Sequence, residues 1–239
     1  YKYLVMEHIG AMEKIYETAY AKINLGLDVL GKRSDGYHEV RMVMQSVGLS
    51  DAVEIEEGEG LVVETDHSGL AGGPDNLAWK AAELLARCCG KIPNVHIRLN
   101  KKIFLAAGLA GGSSDAAAVM RGLSRLWQLD LTAPELEKLA AELGSDIPFC
   151  ITGGTALAEG RGEILTELPE APELLLVLAK PKLEVATGWV YGNFRQQKVN
   201  QRPDIDGIIK ALEQSATGLL LESCGNVLES VTIPAHPVI

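Results

Sequence analysis

The sequence has little aromatic content, 5% in all, and only four cysteines, Cys88, Cys89, Cys150 and Cys224. They form no CxxC pair and stand at no zinc-finger spacing from a histidine. That argues against a disulfide-stapled secreted domain and against a structural zinc site, and predicts reduced, buried thiols in a cytoplasmic protein. No apolar run approaches the ~20 residues that span a bilayer, so a membrane is not an expected partner. Positive charge is scarce: 22 Lys and Arg stand against 32 Asp and Glu, a net charge of −10. Nucleic acid is therefore not an expected partner, although a local basic pocket for a phosphorylated ligand remains open. Internal repeats and low-complexity tracts are absent. Residues 1–11 lack the basic start and cleavage site of a signal peptide and read as a leader or extension, with Met12 as the natural start. What is present, 239 residues of which 47% are apolar, suits one large or two modest domains mixing helix and strand.

The chain is organised around residues 106–118, Ala-Ala-Gly-Leu-Ala-Gly-Gly-Ser-Ser-Asp-Ala-Ala-Ala. Gly108, Gly111 and Gly112 allow backbone angles and a close approach that side chains forbid, so several N–H groups can turn toward one anion. Ser113, Ser114 and Asp115 are good N-cap residues, and the alanines behind them are strong helix formers. Val119, Met120, Leu123, Leu126 and Trp127 mark one apolar face, with Arg121, Ser124, Arg125 and Gln128 on the other. A glycine loop ending at a helix N-terminus offers free donors and the positive end of the helix dipole to a phosphate. It lacks the Lys of a Walker A loop and is not a G-x-G-x-x-G after a strand. A tight turn whose glycines only permit close packing is the alternative reading.

Before this loop the chain is strand-rich. Residues 21–30 alternate with period two, which puts Lys22 and Asn24 on one face. Strands follow at residues 40–44, 53–56 and 61–65, then a helix at 77–87 behind Asn76 and a strand at 95–103. Thr132 with Glu135 forms a capping box, with Pro134 in the first turn, for a helix running to about Leu143. Ser145-Asp146-Ile147-Pro148 leaves that helix, and Gly160-Arg161-Gly162-Glu163 is a turn. Beyond Pro169, where a soft boundary is expected, residues 174–178 read as a buried strand. Helical patterns cover 187–194, 204–213 and 219–228.

Four blocks together resemble the GHMP kinase superfamily: Ala21-Lys22-Ile23-Asn24-Leu25 with Gly36-Tyr37-His38; residues 107–115; Leu143 to Phe149; and Gly153-Gly154-Thr155-Ala156 with Gly160-Arg161-Gly162-Glu163. Gly36-Tyr37-His38 and the Gly-Arg-Gly-Glu turn narrow the resemblance to the branch whose acceptor is 4-diphosphocytidyl-2-C-methyl-D-erythritol, in isoprenoid precursor biosynthesis. Another GHMP kinase, acting on mevalonate-type or sugar substrates, and a catalytically silent nucleotide-binding protein stay open as alternatives. The resemblance implies an α+β fold of two domains. Residues 12–168 would be the N-terminal nucleotide- and substrate-binding domain, and residues 169–239 a smaller C-terminal α/β domain. That second domain is expected to be incomplete, because a third glycine- and serine-rich motif has not appeared by Ile239. The family usually has Pro at the position of Phe104.

The resemblance also implies roles. ATP and Mg²⁺ are the cofactors and a small-molecule cytidine diphosphate the substrate; the oligomeric state is unassigned. Asp146 is the base that accepts the substrate hydroxyl proton, with Lys22 beside it aligning hydroxyl and phosphate. Ala107, Gly108, Leu109, Ala110, Gly111, Gly112, Ser113, Ser114 and Asp115 hold the ATP phosphates, and the Ser114 hydroxyl is the candidate Mg²⁺ ligand. Asn76 and Lys101 match positions near the adenine and its phosphates. Asn24, Tyr37, His38 and Tyr191 match the substrate side, the aromatics gripping the cytidine. Plainer readings stand beside these: a turn cap for Asp146, a solvated edge residue for Lys22, packing for Tyr37, a surface position for His38 and a helix cap for Asn76.

Overall fold

The computed structural model describes residues 14–239; the leader reading of residues 1–11 and the Met12 start lie outside them. The frame is a sheet of seven strands in the order β3-β4-β2-β1-β7, with β5 pairing β2 and β6 pairing β5. Strand β1 (Ile15–Lys32) and strand β2 (His38–Glu57) form one long antiparallel hairpin. The strands expected at 40–44 and 53–56 are thus one element. Its two halves have different neighbours: residues 42–45 pair β5 (Thr155–Glu159), which pairs β6 (Ile164–Glu167), whereas residues 52–57 pair β4 (Val95–Asn100). Strand β3 (Leu61–Thr65) runs parallel to β4. β1 is bulged between Tyr20 and Lys22, again between Asn24 and Gly26, and between Val29 and Gly31. The first two bulges bracket Lys22-Ile23-Asn24, re-aiming that triplet locally.

Helices α1 (Leu77–Cys88) and α2 (Gly111–Leu126) cover one face of the sheet, and their alanines allow close approach. Ala78, Ala81, Ala82, Ala116, Ala117 and Ala118 are fully buried with Ile55, Ile97 and Leu99. The predicted apolar face of α2 is observed: Val119, Met120 and Leu123 are buried, with Leu126 and Trp127 packed at its margin. Arg121 and Arg125, on the opposite side, both reach Glu17 of β1. The capping box predicted at Thr132 and Glu135 opens α3 (Ala133–Ala140), which is followed by the short α4 (Ile147–Thr152).

Several expectations need correction. α2 starts at Gly111, so Ser113, Ser114 and Asp115 lie inside the helix, and the cap position falls to Ala110 in the left-handed region. β4 ends at Asn100, because residues 101–103 turn away to meet Asp51. The apolar run 174–178 is no strand; Leu175 is 99% and Val177 91% exposed, and no strand among the described residues pairs with it. The four thiols are free, but Cys88 is exposed and the others half-buried rather than enclosed. No helix among the described residues is long and apolar enough to cross a membrane.

Past residue 169 the chain returns to the same sheet. After α5 (Thr187–Asn193), helix α6 (Ile205–Glu213) packs Ile205 and Ile208 against Leu25 and Val43. The helix expected over 219–228 ends early, as α7 (Thr217–Ser223), because Gly225 and Asn226 form β7 parallel to β1. The last helix, α8, covers Glu229–Ala235. The contact of α6 with β1 depends on Gly26: a Cβ there would come within 2.5 Å of Ile208 Cδ1 and 2.8 Å of Ile205 Cδ1. Gly26→Val is expected to force α6 outward and cost ~1–3 kcal/mol. Thermal melting would show a drop of several degrees, and an unchanged melting temperature would mean that α6 is not held by this contact.

Candidate active site

A cavity of about 1120 Å³ opens where the glycine loop, the β1–β2 hairpin, the turn before α4 and α5 converge. Residues 106–110 are built from an alternation that matches anion-binding backbone nests. Ala106, Gly108 and Ala110 have φ of 49°, 73° and 57°, and the residues between them do not share that left-handed conformation. Two of the three are alanines, each held at a cost of order ~1–3 kcal/mol, so the surroundings must over-determine the loop. One restraint is direct: the Lys22 N–H donates to the Leu109 carbonyl at 3.1 Å, tying the loop to β1. Ala107, Gly108, Leu109 and Ser113 line the cleft, whereas Ala110, Gly111 and Gly112 stand behind that wall.

Lys22 and Asp146, far apart in sequence, meet at the cleft. The Lys22 ammonium lies 3.5 Å from Asp146 Oδ2 and 3.4 Å from Asn24 Oδ1. Lys22 is not a solvated edge residue; its side chain is 6% exposed, against 34% for Asp146. Asp146 precedes α4, yet its carboxylate makes no capping hydrogen bond, so it stays free to face the ammonium. At the other end His38 and Tyr191 place their rings 5.4 Å apart, with Phe194 edge-on to His38 at 6.3 Å. Burial, with the charge of Lys32 adding to it, lowers the His38 pKa and favours a neutral imidazole. Burial pushes the Tyr191 hydroxyl up to about 12, with Asp146 adding to it, so it remains a donor. Tyr37 is 54% exposed and carries the Arg161 guanidinium 4.9 Å above its ring.

The remaining candidates are used elsewhere. Asn76 caps α1, accepting from Ala78 N and donating to Ala71 O at 2.8 Å, so each end of its amide holds local backbone. The Ser114 hydroxyl donates to the Tyr20 carbonyl at 2.6 Å and is buried, which turns the candidate metal ligand into the sheet. Lys101 and Asp115 bind one another at 2.5 Å, and Lys101 also binds Asp51, with all three side chains at most 1% exposed. None of these four lines the cleft. Sequence reasoning assigned no role to Arg161, Lys32, Thr187 and Phe194, all of which line it. The signal for Arg161 was its turn: Gly160 and Gly162, at φ 71° and 111°, isolate a single cation between them. Together Lys22, Lys32, Arg161, Lys180 and Arg195 face the side-chain carboxylates of Asp146 and Glu229, making the cleft basic in an acidic protein.

Burial raises the Asp115 carboxyl from its ordinary range to about 7, against the pull of Lys101. The folded protein thus keeps a proton that the unfolded chain releases near pH ~4. The stabilisation from this group is complete below that pH and is lost as pH rises through about 7. The melting temperature should therefore fall between about pH 5 and pH 8, and Asp115→Asn should flatten that part of the profile. A variant with the parent's slope would show that another group is responsible.

Comparison with known proteins places this geometry. Residues 76–154 match the model for the GHMP kinases N terminal domain. A 4-diphosphocytidyl-2-C-methyl-D-erythritol kinase of Acetivibrio thermocellus is 48% identical over 229 residues, 95% of this chain and 81% of that protein. The enzyme of the same name from Lachnospira eligens is also 48% identical, over 95% of this chain and 80% of its own length. A crystal structure of 4-(cytidine 5'-diphospho)-2C-methyl-D-erythritol kinase superposes with a TM-score of 0.73 at 32% identity, covering 94% of this chain and 79% of that one.

Proposed function

Because the chain belongs to the GHMP kinases and, within them, to the family of 4-diphosphocytidyl-2-C-methyl-D-erythritol kinases, we propose that it transfers the γ-phosphoryl group of ATP to the 2-hydroxyl of that cytidine-tagged alcohol. The observation that carries the proposal is the Lys22–Asp146 pair at 3.5 Å, set beside a glycine loop tied to the same strand. Phosphoryl transfer asks a protein mainly for positioning and charge stabilisation, and the site supplies both. The nest of residues 106–110 and the dipole of α2 receive the ATP phosphates. Asp146 accepts the hydroxyl proton as the new O–P bond forms, and Lys22 draws the hydroxyl and the transferred group into line. The cavity exceeds the ~300–1,000 Å³ of a pocket for one small molecule, in keeping with two substrates.

The cytidine end is assigned to Tyr37, His38 and Tyr191, with Phe194 and Arg161 added by the geometry, and Asn24 to the acceptor side near Lys22. Mg²⁺ belongs to the same reading. Among the described residues no group of three or more His, Cys, Asp or Glu side chains forms a cation site. Ser113, on the cleft wall, would supply a hydroxyl to an ion held largely by nucleotide phosphates. When bound it would neutralise charge building on the β- and γ-oxygens. Residues 12–168 and 169–239 are assigned to the two GHMP kinase domains, and a cytoplasmic site, consistent with four free thiols, to their action.

The direct test is ATP turnover with the cytidine substrate, run against mevalonate and galactose; turnover only with one of the latter would overturn the acceptor. Asp146→Asn is expected to cut turnover at least ~10-fold while leaving nucleotide binding intact, since a positioned base contributes ~10²–10⁴-fold. Near-parent turnover would remove Asp146 from the base role. Tyr37→Ala should raise the KM for the cytidine substrate with little change in that for ATP, a stacked aromatic contributing roughly 1–3 kcal/mol per base. Equal KM values in parent and variant would count against stacking.

A further inference from the structure

The loop of residues 104–110 is bracketed by a buried charge cluster that the proposed reaction does not use. At its entry, the Asp51 carboxylate accepts the backbone N–H groups of Lys102 and of Ile103, the latter at 2.8 Å. Beyond its exit, Asp115 sits one turn into α2 and accepts from the Lys101 ammonium at 2.5 Å. Lys101, the residue immediately ahead of the entry amides, also binds Asp51, so one ammonium joins the two ends of the loop. The ends are close: a Cβ on Gly111 would lie 3.0 Å from Ile103 Cγ2 and 3.6 Å from Lys101 Nζ. Ile103 and Leu109 pack together with Ala21 inside the same ring.

Nothing about folding alone favours this choice. Buried ion pairs cost desolvation that well-packed apolar residues avoid, and here two carboxylates share one ammonium. Asp115 Oδ1 is also buried with no hydrogen-bond partner. What the arrangement gains is geometry: it fixes the span between loop entry and loop exit, and therefore the curvature at which residues 106–110 present their amides. A loop with three left-handed residues, two of them alanine, needs such a constraint.

We propose that Asp51, Lys101 and Asp115 form a clasp of positioning residues that closes the donor loop on itself and sets its nucleotide-binding shape. The proposal rests on the kinase reading above and deepens it on the ATP side. Lys101 then acts on the nucleotide through the loop and not by contact with the adenine.

The test measures binding of a non-hydrolysable ATP analogue by calorimetry to the parent chain, Lys101→Met, Asp115→Ala and Asp115→Asn, each first shown to melt cooperatively. Lys101→Met and Asp115→Ala are expected to bind the analogue at least ~10-fold more weakly, because small displacements of a positioning shell are costly, while affinity for the cytidine substrate changes less than ~2-fold. Asp115→Asn, which keeps shape and hydrogen bonding, should recover most of what Asp115→Ala loses. Should Lys101→Met fail to fold, the two Asp115 variants carry the comparison. Parent-like affinity for the analogue in Lys101→Met and Asp115→Ala, or equal losses for both ligands, would overturn the clasp. A parent chain that binds no ATP analogue would instead overturn the kinase reading beneath it.

Discussion

The N–H of Lys22 donates to the carbonyl of Leu109 at 3.1 Å, and the site is organised by what that bond joins. On one side is a strand whose bulges at Tyr20–Lys22 and Asn24–Gly26 isolate a three-residue window. On the other is a loop that no local propensity would hold, with alanines at φ 49° and 57°. The bond fixes the loop relative to the ammonium of the same residue, so the glycine loop and the Lys22 charge are placed together. A second tie runs parallel to it, from the Ser114 hydroxyl to the Tyr20 carbonyl at 2.6 Å. A helix N-terminus attracts an anion only within its first turn, so its value for chemistry depends on how firmly that turn is placed.

The two lysines show how similar side chains are set to different work. Lys22 has an acceptor at 3.4 Å and another at 3.5 Å, both long for charge-assisted contacts, and it borders the cleft. Lys101 is enclosed by two carboxylates and reaches no cavity wall. An ammonium whose contacts are loose can turn toward an arriving oxygen; one gripped by two buried carboxylates cannot leave without stranding them. The first suits a step in which charge moves, the second a frame that must not.

Much of this was legible in the chain. Period-two alternation put Lys22 and Asn24 on one strand face, and Thr132 with Glu135 marked a helix start to the residue. Asn76 was legible as a cap and is one. The serines misled because an Ncap preference is a statement about local hydrogen bonding, and here the cap falls three residues before Ser113, on Ala110, once the loop has been bent by its anchors. Lys101 and Asp115 could not be read either: fourteen positions apart, neither carries a signal that the partner is Asp51, fifty residues back on another strand. The apolar run at 174–178 failed for a related reason, since a strand needs a neighbour and sequence supplies only the candidate.

Charge distribution closes the argument about what the cleft can receive. The protein as a whole is acidic, at −10, and would repel a polyanion, yet the cavity gathers Lys22, Lys32, Arg161, Lys180 and Arg195 against only two side-chain carboxylates, Asp146 and Glu229. Such a contrast focuses field lines into the concave region and favours small anions over extended ones, because only a small anion can enter without meeting the acidic exterior. The two phosphorylated small molecules of the proposed reaction satisfy that condition. The cavity wall is also divided: a backbone nest with few side chains suits phosphate, and the rings of His38, Tyr191 and Phe194 suit a flat ring. Asp146 lines the same cavity, its carboxylate 3.5 Å from the Lys22 ammonium.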